Sequence, residues 1–240
     1  MTFPTIYCIH LESREDRYEA MKKRFEMANI LPHVKFVKAI PYLDSKLDYH
    51  VENLPCGPHP NYNVRAIYAC LASHLKALRK FVKSNEKECF ICEDDIVFRK
   101  NFLEEWQKIS LNIPEDSPLV MLSYIVIQWN MKWGGIEPNL LNLCQMGIDN
   151  TWGTQMYLIR RDWAVRCLEL FNRPFKNIEI DNPDEITSEL ITRKSNGLLI
   201  YPPLVIEDSA KYIHSSDLRK EIGPQSRCFA HWGVDNFDWP

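Results

Sequence analysis

Glu93, Asp94 and Asp95 stand side by side between two apolar runs, Cys89 to Cys92 before them and Ile96 to Phe98 after. The first run is too short, and too closely flanked by charge, for a long helix, and it reads as a buried strand. Three adjacent carboxylates repel one another, and between apolar runs they also lose part of their hydration. A positive partner is expected among them. A hard divalent cation carrying a phosphate ester fits, because Mg²⁺ and Mn²⁺ take one or two carboxylates together with substrate phosphate oxygens. A solvated turn at a strand end is the other reading these residues allow on their own.

The surrounding chain sets the bounds. Its 240 residues and 28.3 kDa are enough for one full core, and 45% hydrophobic with 25% charged residues is ordinary globular composition. A net charge of −3 without a basic block gives no reason to expect nucleic acid or anionic membrane as partner. The opening Met-Thr-Phe-Pro-Thr-Ile-Tyr-Cys lacks a basic segment followed by a long apolar one. No apolar run approaches the roughly 20 residues of a membrane helix, so a soluble, cytoplasmic protein is expected. Of the eight cysteines, Cys89 and Cys92 have zinc-knuckle spacing. In a strand those two positions face opposite ways, so buried free thiols are expected instead.

Elements that would carry the acidic turn follow in order. Thr5 to Leu11 reads as a strand, Tyr18 to Ala28 as a helix and Val34 to Ile40 as a second strand, a parallel α/β unit. After a loop over 41–63, Val64 to Ser84 reads as a helix with Ile67, Leu71, His74, Leu78 and Phe81 in one stripe. It leads straight into the acidic strand. Helices are expected over 101–111, 161–171 and 185–195, and strands within 118–128 and over 155–159. A last strand over 198–206 is interrupted at Pro202-Pro203. Residues 129–153 read as irregular and aromatic, and 207–240 as polar with little pattern.

Several blocks, in this order, resemble glycosyltransferase family 25, which includes bacterial lipooligosaccharide galactosyltransferases, procollagen galactosyltransferases and giant-virus relatives. The blocks are Ile9-His-Leu-Glu-Ser-Arg-Glu-Asp-Arg17 with Met21, Ala72-Ser-His-Leu75, Glu93-Asp-Asp95, Trp152-Gly-Thr154 with Tyr157, and Tyr201-Pro-Pro-Leu204 followed by Ser215-Ser-Asp217. Each is weak alone; their order and spacing together are specific. The resemblance implies an α/β, GT-A-type nucleotide-sugar-binding fold with a central, mostly parallel sheet flanked by helices. It also implies a UDP-sugar donor, a divalent metal, Mn²⁺ or Mg²⁺, and transfer of galactose, or else glucose, to a hydroxyl of a glycan or of a hydroxylysine-type acceptor in a collagen-like protein. One domain over 1–240 is expected, its donor half about 1–128 and its acceptor half about 129–240.

Residue roles follow from the matched positions. Asp95 is expected to ligate the metal, with Asp94 holding the metal or donor hydroxyls; Glu93 stands where the family's Asp-x-Asp signature has its first acid. His10 and Leu11, in the matched block that begins at Ile9, close the first strand, and Arg14 and Arg17 follow it, at the sheet end where nucleotides bind; guanidinium groups there can pair with phosphate or stack on a base. Ser73 and His74 belong to the donor side. Trp152 and Gly153 offer a ring and a close backbone approach to a sugar face, with Thr154 beside them. The base for the acceptor hydroxyl is expected at Asp184, with Glu185 one position away, and His214 is a candidate for completing the metal shell. A catalytically degenerate member that binds a glycan or protein partner is the alternative; a carboxylate-metal nuclease or phosphatase is a more remote one.

Overall fold

The computed structural model describes residues 3–48, 64–126, 141–145, 151–171, 187, 191, 195–210 and 232–239. Its strands are β1 Ile6–His10, β2 Val34–Lys38, β3 Glu88–Cys92, β4 Ile96–Phe98, β5 Leu119–Val126, β6 Asn142–Gln145, β7 Thr151–Arg160, β8 Leu198–Tyr201 and β9 Val205–Glu207. Its helices are α1 Glu15–Met27, α2 Val64–Lys83, α3 Phe102–Ser110 and α4 Arg161–Phe171. Seven strands form one sheet in the order β2-β1-β3-β7-β5-β8-β6, and β4 pairs with β9 in a separate antiparallel ribbon. Five strands of the large sheet run the same way; β7 and β6 oppose them. This is the GT-A-like α/β arrangement that the resemblance implied.

Burial explains why the central strands read as unbroken apolar runs. All five residues of β1 are buried, as a sheet covered on both faces requires. Along β3, Cys89 and Ile91 join the core under α2 and α4, while Phe90 and Cys92 join the core under α1 and α3. The Cys89 and Cys92 thiols therefore point to opposite faces, and the described cysteines are free thiols. On α2, Leu71, Leu75, Leu78 and Phe81 are buried against one face of the sheet. Each such side chain contributes about 1.5–3 kcal/mol relative to exposure.

Three differences from the sequence reading have local causes. Helix α1 starts at Glu15 rather than Tyr18, because Glu15 and Asp16 suit the positive end of a helix and extend it by a turn. Strand β6 and the first residues of β7 fall in the stretch read as irregular. There β5 and β7 pair with register shifts around Ser123, so the alternation that marks a strand is lost. The run over 198–206 splits at Pro202-Pro203, where the ladder loses its N–H donors, into β8 of the large sheet and β9 of the ribbon. Of the helix expected over 185–195, Thr187 and Ile191 are described, and both are helical.

The connectivity creates a crevice. The chain passes from β1 through α1 to β2 on one side, then returns through α2 to β3 on the other side of β1. Helices α1 and α2 cover opposite faces. The carboxyl ends of β1 and β3 thus lie at a topological switch point, the place where open α/β sheets bind ligands. The acidic turn begins at the end of β3.

Candidate functional site

Asp94 ties the two strand ends together. Its Oδ2 accepts from the Leu11 backbone N–H at 3.2 Å and pairs with His10 Nδ1 at 3.2 Å, at the carboxyl end of β1. Its Oδ1 accepts from Arg17 Nη1 at 2.8 Å. The residue is 6% exposed, so these contacts are what make a carboxylate tolerable there. Arg17 comes from the first turn of α1 and also lies 3.5 Å from Asp95 Oδ2. Four of the expected residues, His10, Leu11, Arg17 and Asp94, are thus brought into one cluster. Arg14 turns away to form a two-pronged pair with Asp16, at 3.0 and 2.8 Å.

Asp95 sits deeper. Burial pushes its carboxyl well above the usual carboxylate range, and the charges of Glu93, Asp208 and Asp94 add to the effect against the opposing Arg17. Its Oδ1 is buried, with no hydrogen-bond partner among the described residues. The Asp95 carbonyl accepts from the Asp208 N–H at 2.7 Å, which brings the end of β9 to the acidic turn. Asp208 in turn pairs with Arg24 Nη2 at 2.9 Å, and Arg24 Nη1 donates to the Ile96 carbonyl at 2.8 Å. Arg24 is a buried strut from α1 to both strands of the ribbon.

Glu93 faces α2. Its Oε1 accepts from Thr154 Oγ1 at 2.8 Å and lies 3.4 Å from His74 Nε2. Burial pushes the Glu93 carboxyl up, but the His74 and Thr154 contacts and the Arg17 charge outweigh it and hold the group below its usual range. His74 Nδ1 pairs with the Tyr157 hydroxyl at 3.0 Å. Ser73 is buried, accepting from the Ile40 N–H at 2.8 Å and donating to the Ala69 carbonyl at 2.6 Å, which pins α2 to the chain leaving β2.

Trp152, Gly153 and Thr154 lie in β7, where Trp152 pairs in register with Ile125. Gly153 has φ of +118°, a backbone region that other residues rarely adopt. A Cβ there would also meet the Gln155 side-chain amide. Gly153→Ala is expected to cost about 1–3 kcal/mol and to displace Thr154 from Glu93. Chemical denaturation reads the first effect, and a stability equal to wild type would show that the strand relaxes freely there. Asp184, Glu185 and His214 lie outside the described residues.

Glu207, Asp208, Gln155 and Arg24 were not singled out in the sequence. Gln155 Nε2 donates to Glu207 Oε2 at 3.4 Å, and the Gln155 carbonyl accepts from the Glu93 N–H at 3.0 Å. A signal was present: Glu207-Asp208 follow the apolar Val205-Ile206, the same apolar-then-acid pattern that marks residues 89–95. Arg24 gave none, since an arginine inside a helix of mixed charge reads as surface.

The family model described as glycosyltransferase family 25 (LPS biosynthesis protein) matches residues 3–182. No curated protein matches the chain. The match spans β1 through β7 and the whole acidic turn, three quarters of the length. The chain belongs to glycosyltransferase family 25.

Proposed function

We propose that the chain moves a hexose from a UDP-sugar to a hydroxyl of a glycan or hydroxylysine-type acceptor, in a divalent-cation-dependent, inverting single displacement. UDP-galactose ranks first as donor and UDP-glucose second. The observation that carries this reading is the buried Asp95 Oδ1, without a hydrogen-bond partner among the described residues, at the switch point of the sheet. A buried carboxylate oxygen is costly unless a cation or donor meets it. Glu93, Asp94 and Asp208 add further negative charge there, opposed by Arg17. A carboxylate-rich donor set of this kind suits Mn²⁺ or Mg²⁺.

Asp95 would hold the cation, with Asp94 beside it and His214 the candidate to complete the shell. Such an ion, when bound, neutralises charge on a diphosphate leaving group. Arg17 supplies a second positive group for the phosphates, and His10 and Leu11 form the strand end against which the nucleotide lies, with Arg14 at its rim. Ser73 positions α2, His74 and Thr154 orient Glu93, and Gly153 lets the donor sugar approach the backbone beside Trp152. Asp184, with Glu185 the alternative, takes the proton of the acceptor hydroxyl as its oxygen attacks the anomeric carbon. The bond from that carbon to the diphosphate oxygen breaks in the same step, and the electron pair leaves with UDP.

A panel of nucleotide sugars, assayed for UDP release with Mn²⁺ and with chelator, tests the reading. UDP-galactose should turn over fastest and only with the cation, and the product anomer, read by NMR, should be opposite to the donor's. Mn²⁺-dependent UDP binding without turnover of any sugar would identify a degenerate binding module instead.

A further inference from the structure

Cys70 and His74 lie one turn apart on α2, so their side chains leave the helix on the same face. Glu93 approaches that face from the end of β3. One ligand atom from each of the three lies within 4.8 Å of the other two, and no other trio of Cys, His, Asp or Glu among the described residues gathers as closely.

Three observations point to a ligand. His74 is 1% exposed, and its Nε2 faces Glu93 Oε1 at 3.4 Å without meeting hydrogen-bond geometry to any described residue. Its Nδ1 sits 3.0 Å from the Tyr157 hydroxyl. Donation from Nδ1–H to that oxygen leaves a lone pair on Nε2 aimed into the trio, the tautomer that a ligating imidazole takes. The 3.4 Å between Nε2 and Glu93 Oε1 already matches the edge of a tetrahedral site, which Zn–N and Zn–O bond lengths put at about 3.4 Å. Finally, the donor set is thiol, imidazole and carboxylate, softer than the carboxylate-rich set at Asp95.

We propose that Cys70, His74 and Glu93 form a second cation site, for a thiophilic divalent ion of the Zn²⁺ class, with three protein ligands and one open position. Binding forms a sulfur–metal bond and releases the Cys70 thiol proton to solvent; no oxidation or reduction is involved. Glu93 is 29% exposed at its side chain and Cys70 is half-buried, so the trio is open to solvent on that side. The ion would staple α2 to the end of β3. Thr154 Oγ1, bonded to Glu93 Oε1, and Tyr157 would orient two of the ligands from behind.

The test uses the full chain stripped of metal, titrated with Zn²⁺ and, as a spectroscopic stand-in, Co²⁺. Expected results are one Zn²⁺ per chain, a raised melting temperature, and a Co²⁺ spectrum with a thiolate-to-metal charge-transfer band. Cys70→Ser should lose the band and the thermal shift, and Tyr157→Phe should weaken binding roughly ten- to a hundredfold. Asp95→Asn should keep the band unchanged, so the site can be judged even if no sugar nucleotide is turned over. If metal-free Cys70→Ser fails to fold by circular dichroism, Glu93→Gln is the second variant, expected to weaken Zn²⁺ at least roughly tenfold. A band that survives Cys70→Ser, Zn²⁺ affinity unchanged in Glu93→Gln, or wild-type protein without stoichiometric binding overturns the proposal.

Discussion

Asp95→Asn is expected to lower cation-dependent donor turnover by at least about a hundredfold, and at the same time to raise the melting temperature of the metal-free protein. The two effects share one cause. Burial, reinforced by Glu93, Asp208 and Asp94, pushes the Asp95 carboxyl well above its usual range, so the folded chain holds the charged form at a cost. A carboxyl raised in this way contributes stability that is fully present below the unfolded value of about 3.9. That stability is lost as pH rises through the folded value. Asparagine carries no charge at any pH. The variant's advantage should therefore be widest at neutral and alkaline pH and should disappear in acid. Thermal melts of both proteins from about pH 4 to pH 8, with chelator, measure it. A variant that melts below wild type at pH 8 would show that the Arg17 contact outweighs burial. Adding Mn²⁺ should then stabilise wild type and leave the variant unmoved, since only the former keeps the anionic oxygen. A residue whose charge costs stability is what a functional site is expected to contain.

Much of this was legible in the sequence because it is carried by local pattern. The buried strand β3, the α2 stripe and the β1–α1–β2 unit each announce themselves by periodicity, and these three place the acidic turn at the sheet's switch point. The opposite facing of Cys89 and Cys92 followed from strand geometry alone. Tertiary pairing, by contrast, leaves no local trace. Asp94 reads as an acid for the metal or donor hydroxyls, and nothing local shows that it also knots β1 to β3 through Leu11, His10 and Arg17. Arg24 and Asp208 are 184 residues apart and meet only because β4 and β9 pair. Ser73 reads as half of a Ser-His motif, but its hydroxyl is engaged on both sides by backbone. The spacing that marks Cys70 and His74 as partners is helical and was visible. Glu93 joins them only through the fold.

Arg17→Met is expected to be the most damaging single change at the turn for stability, costing about 3–5 kcal/mol. Its guanidinium is the group that Asp94 Oδ1 meets at 2.8 Å and Asp95 Oδ2 at 3.5 Å, with 11% of its side chain exposed. Methionine keeps much of the packing volume and removes the charge, so two buried carboxylates lose their counter-ion and must either repel or protonate. Arg17 is the group holding the Asp95 carboxyl down, and without it that group should rise further. The deficit should accordingly be greatest at neutral pH and shrink as acid protonates the turn. Arg17→Lys should recover part of it, because a point charge can serve one carboxylate but not reach both as the planar fork does. Mn²⁺ offers the sharper comparison. If the cation occupies the same acidic turn, it should stabilise Arg17→Met more than wild type, since it replaces a missing charge in one and joins an existing one in the other. Denaturant midpoints of both proteins with and without Mn²⁺ settle the point. An equal shift in the two would place the cation beyond the reach of Arg17, and would separate the guanidinium's structural work from any part it plays in holding phosphate.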